Sequence, residues 1–162
     1  MWQELTTLWQ SVRDPEYAHL LLESLPLYGM GFGLMFLIVA IMARETKCRL
    51  LALLLMSLSC ASVWPYLDQR VKATPRILAT REATYGPLIR AQTRLREDTA
   101  WVYHAMALVS ALTLLLSATR LGKLLLGVTI IGGLAVLCFS VWLHKKECEV
   151  YHRNIIRYLP PR

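Results

Sequence analysis

Four histidines, His19, His104, His144 and His152, are the side chains of this chain best suited to hold a cofactor. Imidazole nitrogens ligate haem iron and transition metals, and they exchange protons near neutral pH. His104 lies inside an apolar run, WVYHAMAL, where an ionisable group marks a functional position. His19 precedes the first apolar run and His144 ends the last. Two histidines on different helices of a bundle can hold a b-type haem. His19 with His104 is therefore the first ligand pair, and His144 the alternate. A second chemistry lies in HKKECEVYH, where His144, Cys148 and His152 recur every four residues on one helical face. With Glu147 or Glu149 added, that set suits zinc or copper. A third is hydrogen bonding of a quinone, or a proton relay, by His and Tyr near the membrane surface.

Each has a plainer counterpart. His104 can bond a hydroxyl or a carbonyl of a neighbouring helix, and His19 can sit solvated among lipid headgroups. The His144–His152 face can be an amphipathic continuation of its helix. There is no Ser-His-Asp set with a credible elbow and no carboxylate pair inside an apolar run, so an independent enzyme is the least supported class. Gly29 and Gly33 suit close helix packing; no strand precedes them and no lysine follows, as a phosphate loop would need.

These residues must be positioned by membrane helices. Of the 162 residues 56% are hydrophobic, and mean hydropathy is +0.42, too apolar for an ordinary soluble domain. The net charge of +7 then reflects membrane flanks rather than a nucleic-acid surface. The four cysteines form no C-x-x-C, and the N-terminus lacks the basic start and cleavage site of a removable signal. Four runs can cross a bilayer: Leu27–Ala43, Leu50–Tyr66, Trp101–Ala118 and Leu121–Leu143. RETKCR joins the first two and TRLGK the last two, which forces two antiparallel hairpins. Pro65 should end or kink the second span.

The expected fold is all-α, a four-helix transmembrane bundle with interfacial amphipathic helices on the face that carries both termini. Residues 1–26 read as interfacial helices, with Asp14 as an N-cap before Pro15. Residues 27–66 and 101–143 are the hairpins, and 144–162 a C-terminal helical extension. Residues 67–100 read as a connecting loop with an amphipathic helix whose apolar side is Leu88, Ala91 and Leu95. The arginines from Arg70 to Arg96 read as its solvated or lipid-facing side, or as a surface for an acidic partner. All five Trp and all seven Tyr fall on the terminal face or at span ends touching it, so function is expected there. Five basic residues crowd the two tiny hairpin loops, which points to hairpins in the cytoplasm and termini outside.

The approach to span 1, HLLLESLP, resembles that of an uncharacterised bacterial family of four-span membrane proteins, whose first span is introduced by a pattern like H-P-x-x-V-H-F-P. His19 matches its first His and Pro26 its last Pro, while Leu20 and Ser24 replace its first Pro and second His. WVYHAMALVSALTLLL looks like the family's third span, with His104 as its histidine, and the resemblance covers roughly residues 16–145. Family members are similar to domains joined to cytochrome-like or iron–sulfur modules. The resemblance implies a place in membrane electron transfer; with the histidines' own chemistry, the expected function is a small subunit of a respiratory or photosynthetic electron-transfer complex in a bacterial inner membrane that holds a b-type haem through His19 and His104, with His144 as the alternate ligand. The other reading is a cofactor-free structural or assembly subunit that packs against larger membrane subunits.

Overall fold

A computed structural model describes residues 9–80 and 85–151. Among the described residues its helices include α1 (Pro15–Glu23), α2 (Leu25–Met42), α3 (Thr46–Ala61), α4 (Val63–Thr80), α5 (Gly86–Leu115) and α6 (Arg120–Tyr151), and residues 9–13 are helical as well. No strand occurs among the described residues. Asp14 caps α1 as its sequence context predicts: its Oδ1 accepts the Glu16 N–H at 2.9 Å, and Pro15 fills the first helical position. Prolines set the next two breaks. Pro26 and Pro65 lack the N–H that would bond the carbonyl one turn back, so α1 yields to α2 at Ser24 and α3 to α4 at Ser62.

The first hairpin turns through Arg44, whose φ of 57° is left-handed. That reversal lets the Glu45 N–H reach the Ala40 carbonyl at 2.9 Å, closing the end of α2 over its last turn. Four helical stretches, Pro15–Met42, Thr46–Thr80, Gly86–Leu115 and Arg120–Val150, are long and apolar enough to cross a membrane. Large side chains such as Phe32, Phe36, Leu51, Leu108, Leu124 and Ile131 stand exposed on their outer faces. In water this surface would aggregate; in lipid it is the solvent contact. The chain is an integral membrane protein.

α2, α3, α5 and α6 close a ring in which α2 meets α3, α3 meets α5, α5 meets α6 and α6 returns to α2. Met30, Leu37, Leu53, Met56, Tyr103 and Leu143 fill its centre. Gly29 and Gly33 bring α2 against Ser59 and Met56 of α3, as their spacing predicts.

The linker between the hairpins is more regular than its composition suggests. In place of a 67–100 loop with one amphipathic helix, α4 is helical to Thr80 and α5 from Gly86. α4 packs on α1 and α5. Its buried stripe is Val63, Tyr66, Arg70, Ala73 and Ile77, a helical repeat disguised by the arginine within it. The buried stripe of α5 is likewise Ile89, Thr93, Arg96 and Ala100, not the predicted Leu88–Ala91–Leu95 side. Leu88 is exposed.

Candidate functional site

The meeting point of α1, α4, α5 and α6 is held together by charge. Glu147 lies on the buried stripe of α6, between Leu143 and Val150. It receives Arg70 from α4 on Oε1 and Arg96 from α5 on Oε2. All three side chains are buried. A carboxylate holding two guanidiniums, one per oxygen, satisfies its strongest acceptor sites in a setting where an unpaired charge would be prohibitive. Glu23 of α1 supplies the second carboxylate, 4.0 Å from Arg96 Nη2. Two guanidiniums and two carboxyl groups thus converge from four helices.

Tyr66 forms the floor of this cluster. The Cζ atoms of Arg70 and Arg96 each lie 5.7 Å from its ring centroid, and its hydroxyl accepts a hydrogen bond from Arg70 Nη1. Arg70 Nε donates to Thr93 Oγ1 at 3.2 Å, and that hydroxyl donates to the Ile89 carbonyl at 3.1 Å. Two buried nitrogens find no acceptor among the described residues, Arg70 Nη2 and Arg96 Nε. The cluster thus holds more donors than it can use.

A cavity of about 470 Å³ opens beside it, lined by His19, Glu23, Arg70, His144, Glu147 and Cys148 among others. Its size is in the range of small-molecule sites. His19 is buried, and its Nδ1 lies 3.2 Å from the Pro15 carbonyl. A carbonyl only accepts, so Nδ1 carries the proton and the neutral ring keeps its lone pair on Nε2. His144 reaches the cavity from α6, with Nε2 3.7 Å from Cys148 Sγ.

The histidines singled out in the sequence fall in different places. His19 and His144 line one cavity; His104 is exposed on α5 and is not among the residues lining it. An axial haem pair needs two imidazoles facing each other across one macrocycle; the structure buries His19 beside the cavity and leaves His104 exposed on α5. His144 and Cys148 are neighbours as their spacing implies, while His152 lies outside the described residues. The donor group that converges instead is Glu23, His144 and Glu147, whose ligand atoms lie within 4.8 Å of one another. Both oxygens of Glu147 are already held by guanidiniums, so a cation at this point would face two fixed positive charges.

No family model, curated protein or solved structure matches the chain. The site must be read from its own chemistry. Arg70 and Arg96 read in the sequence as a solvated or lipid-facing side or a partner surface, and Glu147 as an optional metal ligand; the structure pairs the three instead. The available signal was position: each occupies a core register of its helix, where a charge requires a partner of opposite sign on another helix.

Proposed function

We propose that this protein is a small subunit of a membrane electron-transfer assembly, with its exchange site at the terminal end of the bundle. One observation supports the reading above others: a buried Arg–Glu cluster, flanked by two histidines and a cavity, sits where the apolar spans give way to charged helix. Ionisable groups at membrane level are costly, and their usual uses are ligand binding, proton handling and redox work. The family resemblance of HLLLESLP and the third span points the same way. The assembly belongs to a bacterial inner membrane, with larger membrane subunits as partners against the exposed aromatic edge of Trp64, Trp101 and Trp142. Both hairpin loops face the cytoplasm.

The test is purification in mild detergent with visible spectroscopy and identification of co-purifying subunits. Haem- or iron–sulfur-bearing partners, or a Soret band of the chain's own, support electron transfer. If the band is the chain's own, it should vanish in His19→Ala and His144→Ala and survive in His104→Ala. A colourless preparation with redox-inactive partners, and unchanged respiration on deletion, would leave the cofactor-free assembly subunit. Orientation is read at Cys48, exposed at the hairpin end. An impermeant maleimide should label it only after cells are opened.

A further inference from the structure

The first hairpin leaves a groove between α2 and α3 that its own side chains do not fill. Ala40 and Ala52 form its floor, each 3% exposed, while Phe36, Val39, Leu51 and Leu55 stand exposed along its sides. Small residues on the floor between large ones on the sides leave a volume of about 340 Å³, within the range of small-molecule sites. Residues 25–43 and 50–67 contain no charged residue, so each stretch can cross the hydrocarbon of a bilayer, and the groove follows them to the loop that joins them. Charge collects at that loop. Arg44, Lys47 and Arg49 lie in it or in the first turn of α3, and Arg120 and Lys123 begin α6 after the second loop. Arg49 and Lys123 line one recess with Thr113 and Ser117, so the two loops are neighbours and their charges act together. Against these five cations the two loops set one acid, Glu45. The ion pairs among the described residues engage Arg70, Lys72, Arg76, Arg96 and Lys146, and none of the five takes part. No side chain caps α3, so the positive end of its helix dipole adds to the field.

We infer that this groove binds one acyl chain of an anionic phospholipid, with the lipid phosphate at Arg44 and Lys47. Apolar volume and charge adjoin there. Ala43 and Glu45 line the groove on either side of Arg44, and Lys47 stands one helical turn from Leu51. Both cations are exposed and free to meet a headgroup. A phospholipid joins an apolar chain to an anion at the hydrocarbon boundary, which is the pattern this end of the protein presents. A zwitterionic headgroup would leave the excess positive charge unbalanced. A second copy of this chain fits poorly, because two hairpins packed through the groove would bring both sets of cations together. The groove lies at the opposite end of the bundle from the histidine cavity, so its occupancy is independent of the electron-transfer reading.

The experiment is native mass spectrometry of the full-length protein, delipidated in detergent and titrated with phosphatidylglycerol or with phosphatidylcholine of the same acyl chains. One phosphatidylglycerol should bind about thirtyfold more tightly than phosphatidylcholine, the worth of two surface cations. Lys47→Gln removes one exposed charge and should weaken phosphatidylglycerol about fivefold. Adding Arg44→Asn should bring it to the phosphatidylcholine level. Asparagine tolerates the left-handed backbone of that position, where φ is 57°. Cys48→Trp fills the groove from an exposed position, and Leu51→Ala strips an exposed side of it. Each should weaken both lipids while the helical spectrum and elution volume stay those of the native protein. Equal binding of the two lipids overturns the proposal. So does phosphatidylglycerol binding indifferent to both groove variants, which would leave charge attraction without a site. Glycerol phosphate binding as tightly as the lipid would make this a site for soluble anions. An acidic subunit held at Lys47 in place of lipid, and released by Lys47→Gln, would make it a protein interface. Either result overturns the lipid site.

Discussion

Arg96 and Glu147, separated by 51 residues, form an ion pair between α5 and α6 with side chains only 8% and 4% exposed. Arg70 reaches the other oxygen of the same carboxylate from α4. One acid thus ties α4, α5 and α6 together.

Removing that acid should be far worse than removing a surface ion pair. Glu147→Ala leaves two buried guanidiniums facing each other, with an expected cost of about 3–5 kcal/mol in the unfolding free energy. The exposed Lys72–Asp68 pair, at 2.6 Å, provides the contrast: Lys72→Ala should change stability by about 0.5 kcal/mol at most. Denaturant titration in detergent micelles, followed by circular dichroism, measures both.

Glycines of the apolar spans should divide sharply. A Cβ on Gly33 would lie 2.6 Å from Met56 Cγ and 3.3 Å from its backbone nitrogen, and one on Gly29 would overlap the Ser59 side chain. Gly33→Ala and Gly29→Ala should each cost about 1–3 kcal/mol by forcing α2 from α3. Around Gly127 nothing lies within 4 Å of such an atom. Gly127→Ala should be neutral, or stabilising by up to about 1 kcal/mol through helix propensity. Thermal denaturation of the three variants checks the order.

Between α5 and α6, Thr113 and Thr129 hydroxyls meet at 2.8 Å, and each also lies 2.8 Å from a carbonyl one turn back in its own helix. Each hydroxyl has one proton, so only one can donate across while the other serves its helix. Thr113→Val and Thr129→Val should each cost about 0.6 kcal/mol, the usual size of such bonds in membranes. The double variant should cost less than their sum, because a single interaction is lost. A double-mutant cycle reads the coupling directly.

The start of α1 should depend on pH. The Glu16 N–H bonded to Asp14, followed by Arg76 at 2.9 Å, holds the Asp14 carboxyl below its ordinary range. A carboxylate depressed in the folded state contributes stability above its unfolded pKa and loses it as pH falls through the folded value. The cap is therefore fully present at neutral pH. Amide exchange at Tyr17 and Ala18, whose N–H groups bond the Asp14 carbonyl, should accelerate relative to mid-span amides only at strongly acid pH. Asp14→Ala should show the faster exchange at every pH.

Much of the fold was legible in the chain itself. Length and hydropathy identified four spans, short links made them hairpins, and Asp14–Pro15 and Pro65 marked helix boundaries that the structure keeps. The small-residue spacing of Gly29 and Gly33 announced the α2–α3 contact. These are local properties, dictated by backbone hydrogen bonding and by the requirement that a spanning segment satisfy its own polar groups. The inward and outward faces were not legible. Lipid is as apolar as a protein core, so the periodic contrast that orients a helix in water fades within a span. Where the helices leave the spans, Arg70 and Arg96 resembled solvated charges because their partner, Glu147, lies on another helix far along the chain. Only the tertiary structure brought that acid to them, separated His104 from His19, and joined His19 and His144 at one cavity, because long-range charge pairing is a property of helix packing and not of any local stretch.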